Sequence, residues 1–245
     1  MSASPGPGCS VTVPVWSAAL QTALLTATCL LLAPPVPGHA LTPEAAVRSL
    51  SGPGPISPEF LSGDTIPSAE EVARLLGAQD SRDQGLQAII LRASSLPTDR
   101  ATLWIQLLAT AERTGVEAGG LAARAVARAD ERDAPGGVAL LLQGVEGGLP
   151  EEDRAALLAL ASHLLTDPEP VRAAELRRRL IREWPDALEI PEAQVQLARH
   201  LLGQGGEAAR EEAVEILEAL LLRRPSHPLA PEARRLRQGA LRPGS

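Results

Sequence analysis

The chain of 245 residues contains no lysine and no tyrosine, and its aromatics number four: Trp16, Phe60, Trp104 and Trp184. Without lysine, a phosphate-binding loop that needs one to reach the terminal phosphates is excluded, and so is a Schiff-base mechanism. With so few aromatic rings there are few rigid platforms for stacking bases or sugars, and the core has to be built from Leu, Ala and Val. Arginine alone carries the positive charge, and 23 basic against 30 acidic residues leave a formal net charge of −7, a balance that argues against a nucleic-acid protein. Both cysteines, Cys9 and Cys29, sit near the amino terminus, so the rest of the chain has neither a disulfide framework nor a cysteine-ligated metal site.

No arginine occurs before Arg48, and residues 15–33 form an uncharged apolar run that ends ahead of Pro34, Pro35 and Pro37. This pattern reads as an export signal, with small residues at Gly38 and Ala40 placing the expected cleavage after Ala40. An uncleaved membrane anchor through residues 15–33 and a lipid-modified form cut before Cys29 are the alternatives. Residues 41–66, rich in Pro, Gly and Ser around SGPGPISP, read as a linker. Beyond it Ser68 and Glu71 make a capping box that starts a helix, and helical spacing dominates from there on.

Residues 67–148 read as helical pairs: Leu86, Ile89, Ile90 and Ala93 line one helix, and Leu103, Trp104, Leu107, Leu108 and Ala111 the next. Gly115, Gly119-Gly120, Gly136-Gly137, Gly147-Gly148 and Gly205-Gly206 are expected between helices, where a left-handed residue lets the chain reverse. Nothing has the alternation of a strand, and about ten helices are predicted.

Two segments repeat. Leu180, Pro185, Pro191, Glu192 and Ala193 of LIREWPDALEIPEA recur 40 residues later as Leu220, Pro225, Pro231, Glu232 and Ala233 of LLLRRPSHPLAPEA. A second echo sets Leu160-Ala161-Ser162-His163-Leu164-Leu165 against Leu197-Ala198-Arg199-His200-Leu201-Leu202, 37 residues apart. Periods of this size mean stacked helical pairs, because one hairpin cannot bury its apolar face alone. The fold class expected is therefore all-α, with helix-turn-helix repeats stacked as a short α-solenoid over residues 149–238, closed by a capping helix, and a tail from 239 to 245.

The spacing of Leu157, Leu160-Ala161, Leu164, Ala173, Leu180 and Pro185, repeated in Ala213, Leu217, Leu220 and Pro225, resembles the tetratricopeptide repeat. The link from Pro185 through Pro191-Glu192-Ala193 is similar to the longer inter-repeat turn of bacterial envelope proteins of that family. The resemblance covers about residues 150–238 and implies a protein-binding scaffold in the periplasm. Arg177 stands where the motif carries a large apolar side chain, and the loop around Gln204-Gly205-Gly206 reads as about three residues longer than the motif allows.

No catalytic, cofactor or metal site is signalled. Gly203-Gln204-Gly205-Gly206 has the glycines of a nucleotide loop but follows a helix rather than a strand, so it reads as a turn. His163 and His200 share equivalent places on successive first helices, but only His163 has an acid four residues on, Asp167, and His200 has none, so the pair does not repeat the ligands of a metal site. Asp130-Glu131-Arg132-Asp133 lacks the glycine and spacing of a calcium loop and reads as a solvated helix end. Arginine is concentrated late, and residues 223–245 hold six arginines against one acid, Glu232. Arg223, Arg224, Arg234, Arg235 and Arg237 are accordingly the candidate partner-binding residues, although Arg223 and Arg224 also suit a helix carboxyl end.

The expectation is a non-enzymatic scaffold, exported to the cell envelope, that holds another envelope protein or peptide and needs no cofactor and no nucleic acid. Two other classes compete with it. A carbohydrate-binding or hydrolytic envelope protein would show carboxylates converging in one pocket; a spacer or tethered subunit would keep its amino-terminal anchor.

Overall fold

Ser68 does what its spacing predicts: its Oγ accepts the Glu71 amide at 3.1 Å and caps the first helix, α1 (Ala69–Leu76). The computed structural model describes residues 66–242, and all the regular structure among them is helical. After a short 3-10 turn come α2 (Arg82–Ser95), α3 (Thr98–Ala111) and α4 (Val116–Asp130). These four close a ring, α1 on α2, α2 on α3, α3 on α4 and α4 back on α1. Trp104 is wholly buried in α3, with the Arg92 guanidinium 4.7 Å above its ring.

Two glycine pairs of this half lie inside helices and hold them together rather than separating them. Gly119 and Gly120 lie inside α4, and a Cβ on Gly120 would sit 3.2 Å from Gly77 Cα, so α4 and the end of α1 meet backbone to backbone. The same applies in α5 (Ala134–Glu146), where a Cβ on Gly137 would approach the Ala125 carbonyl oxygen to 2.4 Å. The reading of these pairs as turns is thus corrected for Gly119-Gly120 and Gly136-Gly137. It holds for Gly115 and Gly147-Gly148, which stand between helices, and for Gly205 and Gly206, whose φ angles of 74° and 89° reverse the chain between Gln204 and Glu207.

From α4 onward each helix packs on the next: α5, α6 (Glu151–Leu164), α7 (Pro170–Glu183), α8 (Ile190–Gln204), α9 (Glu207–Arg223) and α10 (Ala230–Ala240). Alternate helices also touch, α4 with α6 and α8 with α10, which gives the stack of hairpins that the repeat predicts. Helix α6 packs on α3, α4, α5 and α7 and is buried nearly all round, as an apolar helix in the middle of a stack should be. Val195, Leu197, Ala198 and Leu201 of α8 meet Ala213, Leu217 and Leu220 of α9, with Ala174 of α7 and Ala233 of α10 in the same cluster.

The 40-residue echo is structural down to individual backbone bonds. Trp184 N donates to Leu180 O and Arg224 N to Leu220 O, both at 2.9 Å, and Ala187 N to Trp184 O and His227 N to Arg224 O, both at 3.1 Å. Trp184 and Arg224 share one conformation, φ −131° with ψ 62° and φ −137° with ψ 60°. The 37-residue echo fits too, because α7 and α9 begin at Pro170 and Glu207 but end at Glu183 and Arg223. The extra three residues therefore lengthen α9 from 14 to 17 residues instead of lengthening the loop before it.

No helix among the described residues is long and apolar enough to cross a membrane. The export signal, its cleavage after Ala40, the alternatives of an anchor through residues 15–33 and a cut before Cys29, and the linker of residues 41–66 up to residue 65 lie outside the described residues.

Candidate functional site

Two surfaces of the carboxy-terminal stack carry organised polar groups. The first is the face of the first helices, α8 and α10. On α8 the inward positions are Ala193, Val195, Leu197, Ala198 and Leu201, which leaves Glu192, Gln196 and Arg199 pointing out at spacings of four and three. Gln196 Nε2 donates to Glu192 Oε1 at 2.7 Å, and Arg199 Nη1 donates to Gln196 Oε1 at 3.4 Å. Arg199 Nη2 then crosses to α10 and donates to Glu232 Oε1, which Arg235 Nη2 approaches at 3.9 Å. Glu192 and Glu232 are repeat equivalents, so one polar ladder spans two successive repeats.

At the α6 end of this face stands His163, half-buried. Burial first, and the nearby Arg177 charge second, push its imidazole below the ordinary 6.5, against an opposing pull from Glu192. Arg177, 4% exposed, donates from Nη2 to Thr166 Oγ1 at 2.6 Å and to the Ser162 carbonyl at 3.3 Å. A residue out of step with the motif thus ties α7 to the end of α6 by hydrogen bonds where an apolar side chain would do so by packing. His200 interacts with Gln204 of its own helix, whose amide donates to His200 Nε2 at 3.0 Å. Among the described residues no group of three or more His, Cys, Asp or Glu is placed to hold a metal ion.

The second surface is the edge where the links between hairpins lie. Arg224 Nη2 donates to the carbonyls of Asp186 and Ala187 at 3.0 and 3.1 Å, joining the end of α9 to the link before α8. Arg113, at the end of α3, pairs with Glu189 in that same link at 2.9 Å. The guanidinium of Arg154 lies 5.7 Å from the Trp184 ring centre just upstream. Arg234 Nη2 donates to the Pro225 carbonyl at 3.1 Å in the link before α10.

The five arginines singled out by the sequence therefore divide. Arg224 is engaged with the preceding link, and Arg237 donates from Nε to Glu218 Oε1 at 2.8 Å across the α9–α10 seam. Arg235 points outward beside the ladder, and Arg223 and Arg234 are exposed at the link edge. The ladder itself, Glu192, Gln196 and Arg199, escaped sequence reasoning. Its signal was the i, i+4, i+7 run of polar residues on the side of the helix away from its apolar positions.

Elsewhere, the Asp130 side chain, 2% exposed, takes Arg100 Nε and Nη2 at 2.5 and 2.6 Å, with Arg92 at 3.6 Å. Burial opposes its ionisation, but the hydrogen bonds and charge of Arg100 outweigh that and hold the carboxyl below its usual range. A cleft of about 310 Å³ opens between α4 and the α5–α6 link, lined in part by Glu117, Gln143 and Leu149. Comparison of the chain with protein-family models, curated proteins and solved structures gives no match.

Proposed function

We propose that the protein is a non-enzymatic scaffold of the tetratricopeptide-like kind, exported to the cell envelope, which holds a protein or peptide partner against its first-helix face. The observation that carries this reading is the ladder from Glu192 through Gln196, Arg199 and Glu232 to Arg235. It bridges two successive repeats, whose equivalent acids Glu192 and Glu232 both belong to it, and presents donors and acceptors on the surface of stacked hairpins, which such proteins use for binding. A partner segment lying along α8 and α10 would exchange some of these exposed internal bonds for bonds of its own, at little net cost. Arg235 supplies a cation beside the ladder for an acidic side chain or a chain terminus. The terminal helix α10, with Arg234, Arg235 and Gln238 exposed, serves as the polar cap of the stack.

The test is crosslinked affinity capture by the full chain from its native envelope, against an Arg199→Glu, Arg235→Glu variant. The reading expects one dominant protein partner, captured by the wild type and lost with the variant while its helical circular dichroism is unchanged. Equal capture by both would overturn the assignment of the face. Amino-terminal sequencing of the mature protein tests export, with Leu41 as the expected first residue.

A further inference from the structure

The link edge carries a second chemistry, independent of the ladder. Leu188, in the link before α8, is 70% exposed, and Leu222, in the last turn of α9, is 84% exposed. Leucines this far out of the core are ordinary when scattered singly, but these two are brought to one edge. Arg224 makes the junction: its guanidinium is fixed on the Asp186 and Ala187 carbonyls, next in sequence to Leu188, while Leu222 and Arg223 immediately precede it on α9.

Cations share that edge. Arg223 is exposed and, among the described residues, its side chain has no hydrogen bond or ion pair. Arg234 is exposed and held at Pro225 by its single bond to the carbonyl. The Glu218–Arg237 rung sets α9 beside α10. Leu222 lies one turn beyond Glu218 and Arg234 one turn before Arg237, so the leucine and the arginine flank the same stretch of seam. The one acid of residues 223–242, Glu232, is bound by Arg199 on the other face. Of the acids at this edge, Glu189 is paired with Arg113 and Glu218 with Arg237, which leaves Asp186 beside Leu188 against Arg223, Arg224 and Arg234, the last two bonded to carbonyls. In a chain of net charge −7 the edge is thus locally cationic and carries two exposed leucines.

We propose that the link edge formed by Leu188, Leu222, Arg223 and Arg234 docks on an anionic lipid bilayer surface. Protruding leucines insert among the headgroups while arginines meet the phosphates, a division of labour that interfacial membrane binders share. Charge complementarity with an anionic surface accounts for the arginines, and insertion accounts for the leucines, which an acidic peptide lying on the edge would leave in water. The docked molecule keeps its α8–α10 ladder on a different surface, open to a partner.

The experiment is co-sedimentation of the full chain with vesicles of phosphatidylcholine alone and of phosphatidylcholine with about one third phosphatidylglycerol. Residues 15–33 carry no charge, so their contribution is common to both vesicle types and the readout is the ratio of anionic to neutral binding. The proposal expects a preference for anionic vesicles of at least about tenfold that weakens as salt is raised. Arg223→Glu with Arg234→Glu removes the preference. Leu188→Ser with Leu222→Ser weakens binding to anionic vesicles by several-fold at unchanged charge. Free inorganic phosphate at millimolar concentration leaves vesicle binding intact; competition by it would place the site on a soluble anion and overturn the proposal. Absence of the preference, its persistence in the arginine variant, indifference to the leucine variant, or binding of poly-glutamate in place of vesicles would each overturn it as well. These variants leave the ladder untouched, so loss of vesicle binding with partner capture intact separates this proposal from the scaffold reading.

Discussion

Arg224 closes one repeat by holding the previous one: its guanidinium bonds the carbonyl of Asp186 at 3.0 Å, and that of Ala187 beside it. The backbone at Arg224 repeats that at Trp184, so the same position in two units does two jobs. In the earlier unit Trp184 packs inside, 8% exposed, under Arg154; in the later unit an arginine reaches back along the edge.

Arg224→Ala is therefore expected to lower stability by about 1–2 kcal/mol, the scale of charge-assisted hydrogen bonds at a half-buried site. Arg223→Ala, one residue earlier and exposed, should stay within about 0.5 kcal/mol of the wild type. Urea melts of the two variants check the contrast, and equal losses would contradict the clamp.

Glycine substitutions separate contact points from spare positions. Gly137→Ala drives a Cβ against the Ala125 carbonyl oxygen, so a loss of about 2–3 kcal/mol is expected from forced separation of α4 and α5. Gly203, inside α8, has no heavy atom within 4 Å of its would-be Cβ. Gly203→Ala should stabilise by about 0.5–1 kcal/mol through helix propensity. Thermal denaturation gives both signs in one experiment.

Acid should weaken the fold in two stages. The folded chain protonates His163 less readily than the unfolded chain does, so stability present above about pH 6.5 is lost as pH falls from there toward the lowered folded value. Asp130 is depressed below 3.8 by its arginines, so its contribution is present above that value and is lost as pH falls further. His163→Gln should shrink the upper stage, to which His227, lowered by burial and the Arg224 charge, also contributes. Asp130→Asn should remove the lower stage and cost about 2 kcal/mol at neutral pH by leaving Arg100 and Arg92 without their carboxylate. Denaturant melts from pH 8 to about pH 3 read both, and a single stage in the wild type would contradict the assignment.

The all-α class, the capped start of α1 and the repeated link were legible because caps, prolines and leucine spacing act locally, and each came through in the hydrogen bonds. The glycine pairs of α4 and α5 were not, since glycine marks a turn and a tight helix crossing alike, and only the partner helix tells which. The three surplus residues were assigned to a loop because glycine breaks the pattern there, yet Gly205 and Gly206 make a short turn and α9 absorbs the length. The late arginines stood out as a block of charge. Their division into a clamp at Arg224, a rung at Arg237 and outward cations at Arg223, Arg234 and Arg235 depends on carbonyls and carboxylates up to 38 residues away, which spacing does not reveal.

The most direct test of the scaffold reading places a photo-crosslinking amino acid at Gln196, in the middle of the ladder, and separately at Glu215, exposed on α9, in the full chain expressed in its native envelope. The account predicts that the Gln196 position yields a covalent adduct with one protein and that the Glu215 position does not. No adduct at Gln196, or the same adduct from both positions, would contradict it.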